Sequence, residues 1–216
     1  MNVSLNIPPH EKLEISALER ADLRQIANMI ECGTRVLDVG SGDGILLSAL
    51  KNDKNVDGRG IEINAKGVEV SLSKGLAVVH GDAEQELPEY PDKSFDYVIL
   101  SRTLPATRNP VQMLKQMLRI GKKGILSMPN FGYWRVRSHL LCYGTMPVTK
   151  SLDKNWYDTD NIHLCTLKDF ITLASKMDIK IEISYWITNN ILLPFHTYSF
   201  LNNLLSEEIV FVISDK

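Results

Sequence analysis

The residues with the most chemical promise stand early in the chain, in the run DVGSGDG: Asp38, then Gly40, Gly42 and Gly44 at alternate positions. Glycines in a turn let the backbone bend sharply and let a ligand come closer than a Cβ would permit. The spacing is not the dinucleotide fingerprint G-x-G-x-x-G, because the third glycine of that pattern would fall on Ile45. A carboxylate beside the turn repels a pyrophosphate and suits a positive ammonium group. The pattern therefore points to a nucleotide that carries an amino acid. Glu62, in GRGIEIN, is placed to accept both hydroxyls of a ribose without a 2′-phosphate. In HGDAE, Asp82 and Ala83 stand where an adenine edge would be read. Plainer roles exist: Asp43 as a helix cap, and Asp82 as the turn residue that closes a strand. The three acids in register favour the nucleotide reading, whereas Asp82 alone serves either role.

The elements that must position these acids are legible as an alternation. Residues 14–31 place Ile15, Leu18, Leu23, Ile26 and Ile30 near helical spacing, and Gly33 stops that helix. The segments RVLDV, GRGIEI, LAVVH, FDYVIL and KGILSM read as strands, with helices expected over 43–52, 65–74 and 109–120. Thr166 is placed to cap a further helix, TLKDFITLASKM, and KIEISYWI and EIVFVI supply two late strands. Strands alternating with helices imply a doubly wound α/β fold, a three-layer, mainly parallel seven-stranded sheet covered on both faces. The last strand is expected to be antiparallel, in an edge hairpin whose connection, LLPFHTYSFLNNLLSE, makes an excursion. In such sheets ligands sit outside the carboxyl ends of the strands, which is where the glycine turn falls. Residues 1–216 read as one domain, with 129–161 as an inserted lid or partner-binding segment too long for a simple turn.

Bulk properties exclude several classes. A net charge of −2 gives no basic footprint for nucleic acid. No apolar run approaches the roughly 20 residues that span a bilayer, and MNVSLNIPPHEK lacks the pattern of a secretory signal, so a cytoplasmic protein with no membrane partner is expected. The three cysteines, Cys32, Cys142 and Cys165, have no CxxC spacing and read as free thiols, with no metal site.

DVGSGDG, GIEI, GDAE and FDYVILS resemble the successive motifs of class I S-adenosylmethionine-dependent methyltransferases, and these are generic. SRTLPATRNP, MPNFGYWRVR, GTMPVTK and WYDTDNIHLCT are distinctive and resemble the MetW family of methionine-biosynthesis proteins, from about Thr34 to Ile183. The resemblance implies a Rossmann-like class I methyltransferase fold and S-adenosylmethionine (or S-adenosylhomocysteine) as ligand. Under it, Asp38, Gly40 and Gly42 hold the methionine moiety, Glu62 the ribose, and Asp82 with Ala83 the adenine. Ser41, Ile63 and Ser101 complete the implied set. Ser41 stands where the family often has cysteine, and Arg102 and Pro105 where it tends to have glutamine.

Methyl transfer from a sulfonium is an in-line displacement that asks chiefly for proximity, orientation and water exclusion. The absence of an obvious catalytic cluster is therefore neutral. Ser101, Arg102, Asn130, Tyr133, Tyr157, Asp158 and His163 are the candidates for a reactive face, each with a structural alternative, and no catalytic residue is assigned. No G-x-S-x-G elbow, phosphate loop or HExxH motif is present. The first functional expectation is a partner that uses the methyltransferase fold to support or regulate homoserine O-acetyltransferase, as the MetW resemblance implies. The second is a small-molecule methyltransferase with its acceptor under residues 130–160. A nucleic-acid methyltransferase is third, disfavoured by the charge balance.

Overall fold

The computed structural model describes residues 14–216. MNVSLNIPPHEK, on which the secretory-signal reading rests, lies outside the described residues. Five strands follow the expected alternation: β1 (Arg35–Val39), β2 (Asp57–Glu62), β3 (Ala77–His80), β4 (Phe95–Ser101) and β5 (Gly121–Pro129). Then come β6 (Ile179–Thr188), β7 (Ile191–Pro194) and β8 (Glu208–Asp215). The sheet order is β3-β2-β1-β4-β5-β8-β6-β7. The first five strands are parallel, and β8 runs antiparallel to both β5 and β6. The sheet thus has eight strands rather than seven. The extra one, ILLP, was hidden in the excursion because four residues carry too little pattern to read. The last strand is antiparallel as expected, but it fills the interior slot between β5 and β6, and β7 forms the edge.

Side chains alternate between two faces, as the period of a strand requires. Leu37, Val98, Leu126 and Phe211 pack with Met113 and Leu114 of α5 (Pro110–Ile120) and Phe170 of α7 (Leu167–Lys176). Val36, Ile99, Ile125 and Val210 pack with Leu23 and Ile26 of α1 (Ala21–Met29) and Leu46 and Leu50 of α2 (Ile45–Lys54). By the same alternation Asp38, Ser101, Ser127 and Glu208 fall on the α1 side. The sheet is therefore covered on both faces.

The cap signals hold. Asn109 accepts from the Gln112 N–H, and Thr166 with Asp169 forms a capping box. The expected helix over 14–31 instead breaks into a 3-10 turn, Ile15–Ala17, and α1, with Leu18 and Arg20 extended between them. Leu18 is thereby buried, and Arg20 is turned inward toward the strand tips. The expected segment 129–161 contains a helix, α6 (Trp134–Tyr143). Its polar-rich turns, RVRSH, masked it. Short helices α3 (Ala65–Ser73), α4 (Ala83–Glu86) and α8 (Phe200–Leu205) complete the set.

Candidate functional site

Gly40, Gly42 and Gly44 all have left-handed backbones, φ 78°, 58° and 73°, a region that only glycine enters without cost. At Gly40 there is a second reason: an added Cβ would lie 2.5 Å from Thr103 Oγ1. The turn is fastened to β2. The Gly40 and Ser41 N–H groups donate to the Ile61 carbonyl at 2.8 and 3.1 Å. Glu62 takes one further donor on each carboxylate oxygen, the Gly42 N–H at 2.6 Å and the Asn64 N–H at 2.7 Å. Glu62 therefore shapes the glycine turn, a role its sequence position did not disclose. An ionised carboxylate offers about four acceptor directions, so capacity for ligand hydroxyls remains.

Asp38 lies at the tip of β1 on the α1 side, 2% exposed. Its Oδ1 is buried with no hydrogen-bond partner among the described residues, as is the Ser41 hydroxyl beside it. Burial pushes the Asp38 carboxyl up to about 7; Glu62 adds repulsion, and Arg20 pulls the other way. A buried carboxylate oxygen left unpaired at a backbone turn is costly, and a cationic ligand group is the natural way to satisfy it.

A cleft of about 190 Å³ opens from Gly40 past Ile61, Ile63, Asp82 and Ala83, walled on its far side by Thr103, Arg108 and Met113. Asp82 Oδ1 caps α4 by accepting the Glu84 N–H at 3.0 Å, and its Oδ2 stands 3.9 Å from an Arg108 guanidinium nitrogen. Asp82 thus caps a helix, a role not weighed for it in the sequence, while its second oxygen lies on the cleft wall. The far wall escaped the sequence reading. Asn109 was read as a helix start and SRTLPATRNP as a segment of the family resemblance, and nothing in spacing shows that Thr103 and Arg108 line the cleft.

Ser101 is committed elsewhere. Its hydroxyl accepts from Arg20 at 2.7 Å and donates to Asp22 at 3.2 Å, while Ser127 donates to the same Asp22 oxygen at 2.7 Å. Arg102, φ 58°, forms a two-pronged pair with Glu208 at 2.6 and 2.9 Å. Arg20, Asp22, Ser101, Arg102, Ser127 and Glu208 make one buried charge cluster joining α1 to the ends of β4, β5 and β8. Burial works to raise the Asp22 carboxyl, but Arg20 and then Arg102 and Ser127 hold it below the ordinary range. Burial and the nearby Asp22 push Glu208 up to about 7 in spite of Arg102. One signal of this cluster was present: Asp22 sits at positions i+4 and i−4 from the buried Leu18 and Ile26, an acid on the apolar stripe of an amphipathic helix.

The remaining candidates do not converge. Asn130 is 1% exposed and spends its amide on Asn203, Ser206, Gly132 and Leu167, tying β5 to α7 and α8. Tyr133 packs with Val136 and Leu152. Tyr157 and Asp158 are exposed. The His163 backbone N–H donates to the Pro105 carbonyl, while its Nε2 is buried without a partner. His80 meets the Ile63 carbonyl at a strand end. Among the described residues no group of three or more His, Cys, Asp or Glu is placed to hold a metal, and no helix is long and apolar enough to cross a membrane.

Comparison with known proteins decides the family. A model of the family described as methionine biosynthesis protein MetW matches residues 20–213. The chain belongs to the MetW family. A bifunctional methionine biosynthesis protein MetXA/MetW of Rhodopirellula baltica is 33% identical over 170 residues, covering 74% of this chain and 27% of the relative. A demethylmenaquinone methyltransferase of Listeria welshimeri is 29% identical over 134 residues, 55% of this chain and 56% of that one. The MetW-family chain thus spans about a quarter and somewhat over half of these two relatives. Among solved structures, a Thermotoga maritima S-adenosylmethionine-dependent methyltransferase, possibly acting on histamine, aligns with TM-score 0.64 at 17% identity, covering 91% of this chain and 88% of that one. The [4+2]-cyclase SpnF aligns with TM-score 0.63 at 15% identity, covering 89% and 80%. These likenesses show the class I methyltransferase fold of this MetW-family chain and nothing of its reaction, since one structure on the same fold is named a cyclase.

Proposed function

We propose that this MetW-family protein binds S-adenosylmethionine in the Gly40 cleft and, in the cytoplasm, supports or regulates a homoserine O-acetyltransferase. The observation that carries the ligand half is the unpartnered Asp38 Oδ1 beside a Cβ-free turn. Asp38 with Gly40, Ser41 and Gly42 would take the methionine ammonium end, Glu62 the ribose, and Ile63, Asp82 and Ala83 the purine. Ser101 would act from behind, by holding Arg20 near Asp38. When bound, the cofactor supplies an electrophilic methyl sulfonium. The partner half rests on the MetXA/MetW name of the Rhodopirellula relative, which joins both activities in one chain. Segment 129–161 would form the partner surface or lid, since Leu141, Tyr143, Trp156 and Tyr157 stand more than two-thirds exposed there, an unusual cost for apolar groups with no occupant.

The deciding experiment mixes the protein with homoserine O-acetyltransferase, with and without S-adenosylmethionine. Increased acyl transfer, with no methyl group leaving labelled cofactor, supports the reading; a cofactor effect on the complex further requires different affinities in its states. The second reading, a small-molecule methyltransferase, is favoured by the likeness to the Listeria relative, which is named a methyltransferase. Formation of S-adenosylhomocysteine with a small acceptor would select it.

Glu62→Ala is expected to weaken cofactor binding by about 1–3 kcal/mol, through loss of a charged acceptor and of the contacts that shape the turn. Calorimetric titration checks this, and unchanged affinity would remove Glu62 from the site.

A further inference from the structure

A second cavity, of about 320 Å³, adjoins the charge cluster. Its walls come from the start of α1, the residue after β4, the loop beyond α6, the β6–β7 turn and the entry to β8. Arg20 belongs to this wall, and the cavity shares no lining residue with the cofactor cleft. Arg102 forms the floor in a left-handed backbone, a strained state for a residue with a Cβ that tends to persist at functional sites.

The charges sort into spent and unspent. Arg102 is taken by Glu208, and Arg20 by Asp22 and Ser101. Lys150 forms no hydrogen bond or ion pair among the described residues, and neither do the carboxylates of Glu19 and Asp153. Glu207 has only a long contact, 3.5 Å, from Ser151. Lys150 thus lines one small cavity together with Glu19, Asp153 and Glu207, and Asn189 and Asn190 belong to the same lining; of these acids Asp153 also acts on Arg102. An anion alone would meet the carboxylates, and a cation alone would meet Lys150 and the two arginines. The volume suits a small metabolite, and the paired signs suit one that carries both charges.

We infer that this cavity is a binding site for a small α-amino acid, its carboxylate on Lys150 and its ammonium against Glu19, Asp153 and Glu207. The site is separate from the cofactor cleft, with which it shares no lining residue.

The test titrates the full chain, without S-adenosylmethionine, with L-serine, L-homoserine, L-methionine and L-lysine in turn, followed by calorimetry and by amide chemical shifts. Because the cofactor is absent, failure of the cofactor reading does not decide this outcome. At least one amino acid is expected to saturate at about millimolar concentration. Its decarboxylated amine and its N-acetyl derivative are each expected to bind about tenfold more weakly, having lost one charged hydrogen-bonding group. Lys150→Met and Asp153→Asn, both at exposed positions, should each cost about the same factor. The proposal is overturned if none of the four saturates below about 10 mM. It fails equally if the single-charge analogues bind as tightly as the amino acid, or if both substitutions leave affinity unchanged.

Discussion

Asp38→Asn should make the protein more stable above neutral pH while removing its affinity for S-adenosylmethionine. The carboxyl stands at about 7 in the folded protein against an ordinary 3.8, so the folded state holds its proton more tightly than the unfolded chain does. Its contribution to stability is greatest below the unfolded value and drains away as pH rises from about 4 to about 7. A difference of that size corresponds to ionisation costing on the order of 4 kcal/mol. Part of the gain is lost because the asparagine amide also needs partners. A net stabilisation of about 1–3 kcal/mol at pH 8, fading toward pH 4, is therefore expected. For a chain of this length that is a rise of about 2–4 °C in melting temperature per kcal/mol. Cofactor affinity should fall by about 2–5 kcal/mol, the usual loss when one side of a buried charge pair is removed. Melting curves at two pH values and a titration check both signs. A variant destabilised at pH 8 would mean that Asp38 is held by contacts other than those described.

The second large effect is expected at Arg102. Arg102→Ala leaves Glu208, 4% exposed and close to Asp22, without its two-pronged partner. Breaking a buried pair from one side typically costs about 3–5 kcal/mol, whereas replacing both sides with apolar groups of similar volume is often nearly neutral. The double variant Arg102→Met with Glu208→Met should thus recover most of what the single variant loses. The single variant has a pH signature as well. Losing Arg102 drives the Glu208 carboxyl further up from about 7, so the damage is smallest in acid, where the group takes a proton, and grows toward pH 8. Chemical denaturation of the three proteins at pH 5 and pH 8 measures it. Equal losses in single and double variants would show that the pair itself contributes little.

The parts of the fold that were legible in the sequence are those whose information is local. RVLDV and FDYVIL are short apolar runs bounded by turn residues, and Asn109 and Thr166 carry their own cap chemistry, so the structure places these elements within a residue or two. The glycine turn was legible for a similar reason, since glycine adopts the backbone angles found there without the cost a Cβ brings. What stayed hidden depends on pairings between residues distant in the chain. Glu208 meets Arg102 across 106 positions, and Asp22 meets Ser127 across 105. Ser101 illustrates the limit: its place at a strand tip is readable, but the direction of its hydroxyl is fixed by Arg20, which a break in the expected helix over 14–31 turned inward. The β7 strand and α6 were lost because short or polar-rich segments give periodicity too few positions to work on.

The interior position of β8 has a consequence for biogenesis. EIVFVI is apolar beyond its first residue and every residue from Glu208 to Ile213 is buried, yet it is synthesised after both of the strands it joins. Until it arrives, β5 and β6 present two unfilled backbone edges to the cell, the state most open to wrong pairing. The Arg102 contact with Glu208 fixes the first residue of that strand beside the end of β4.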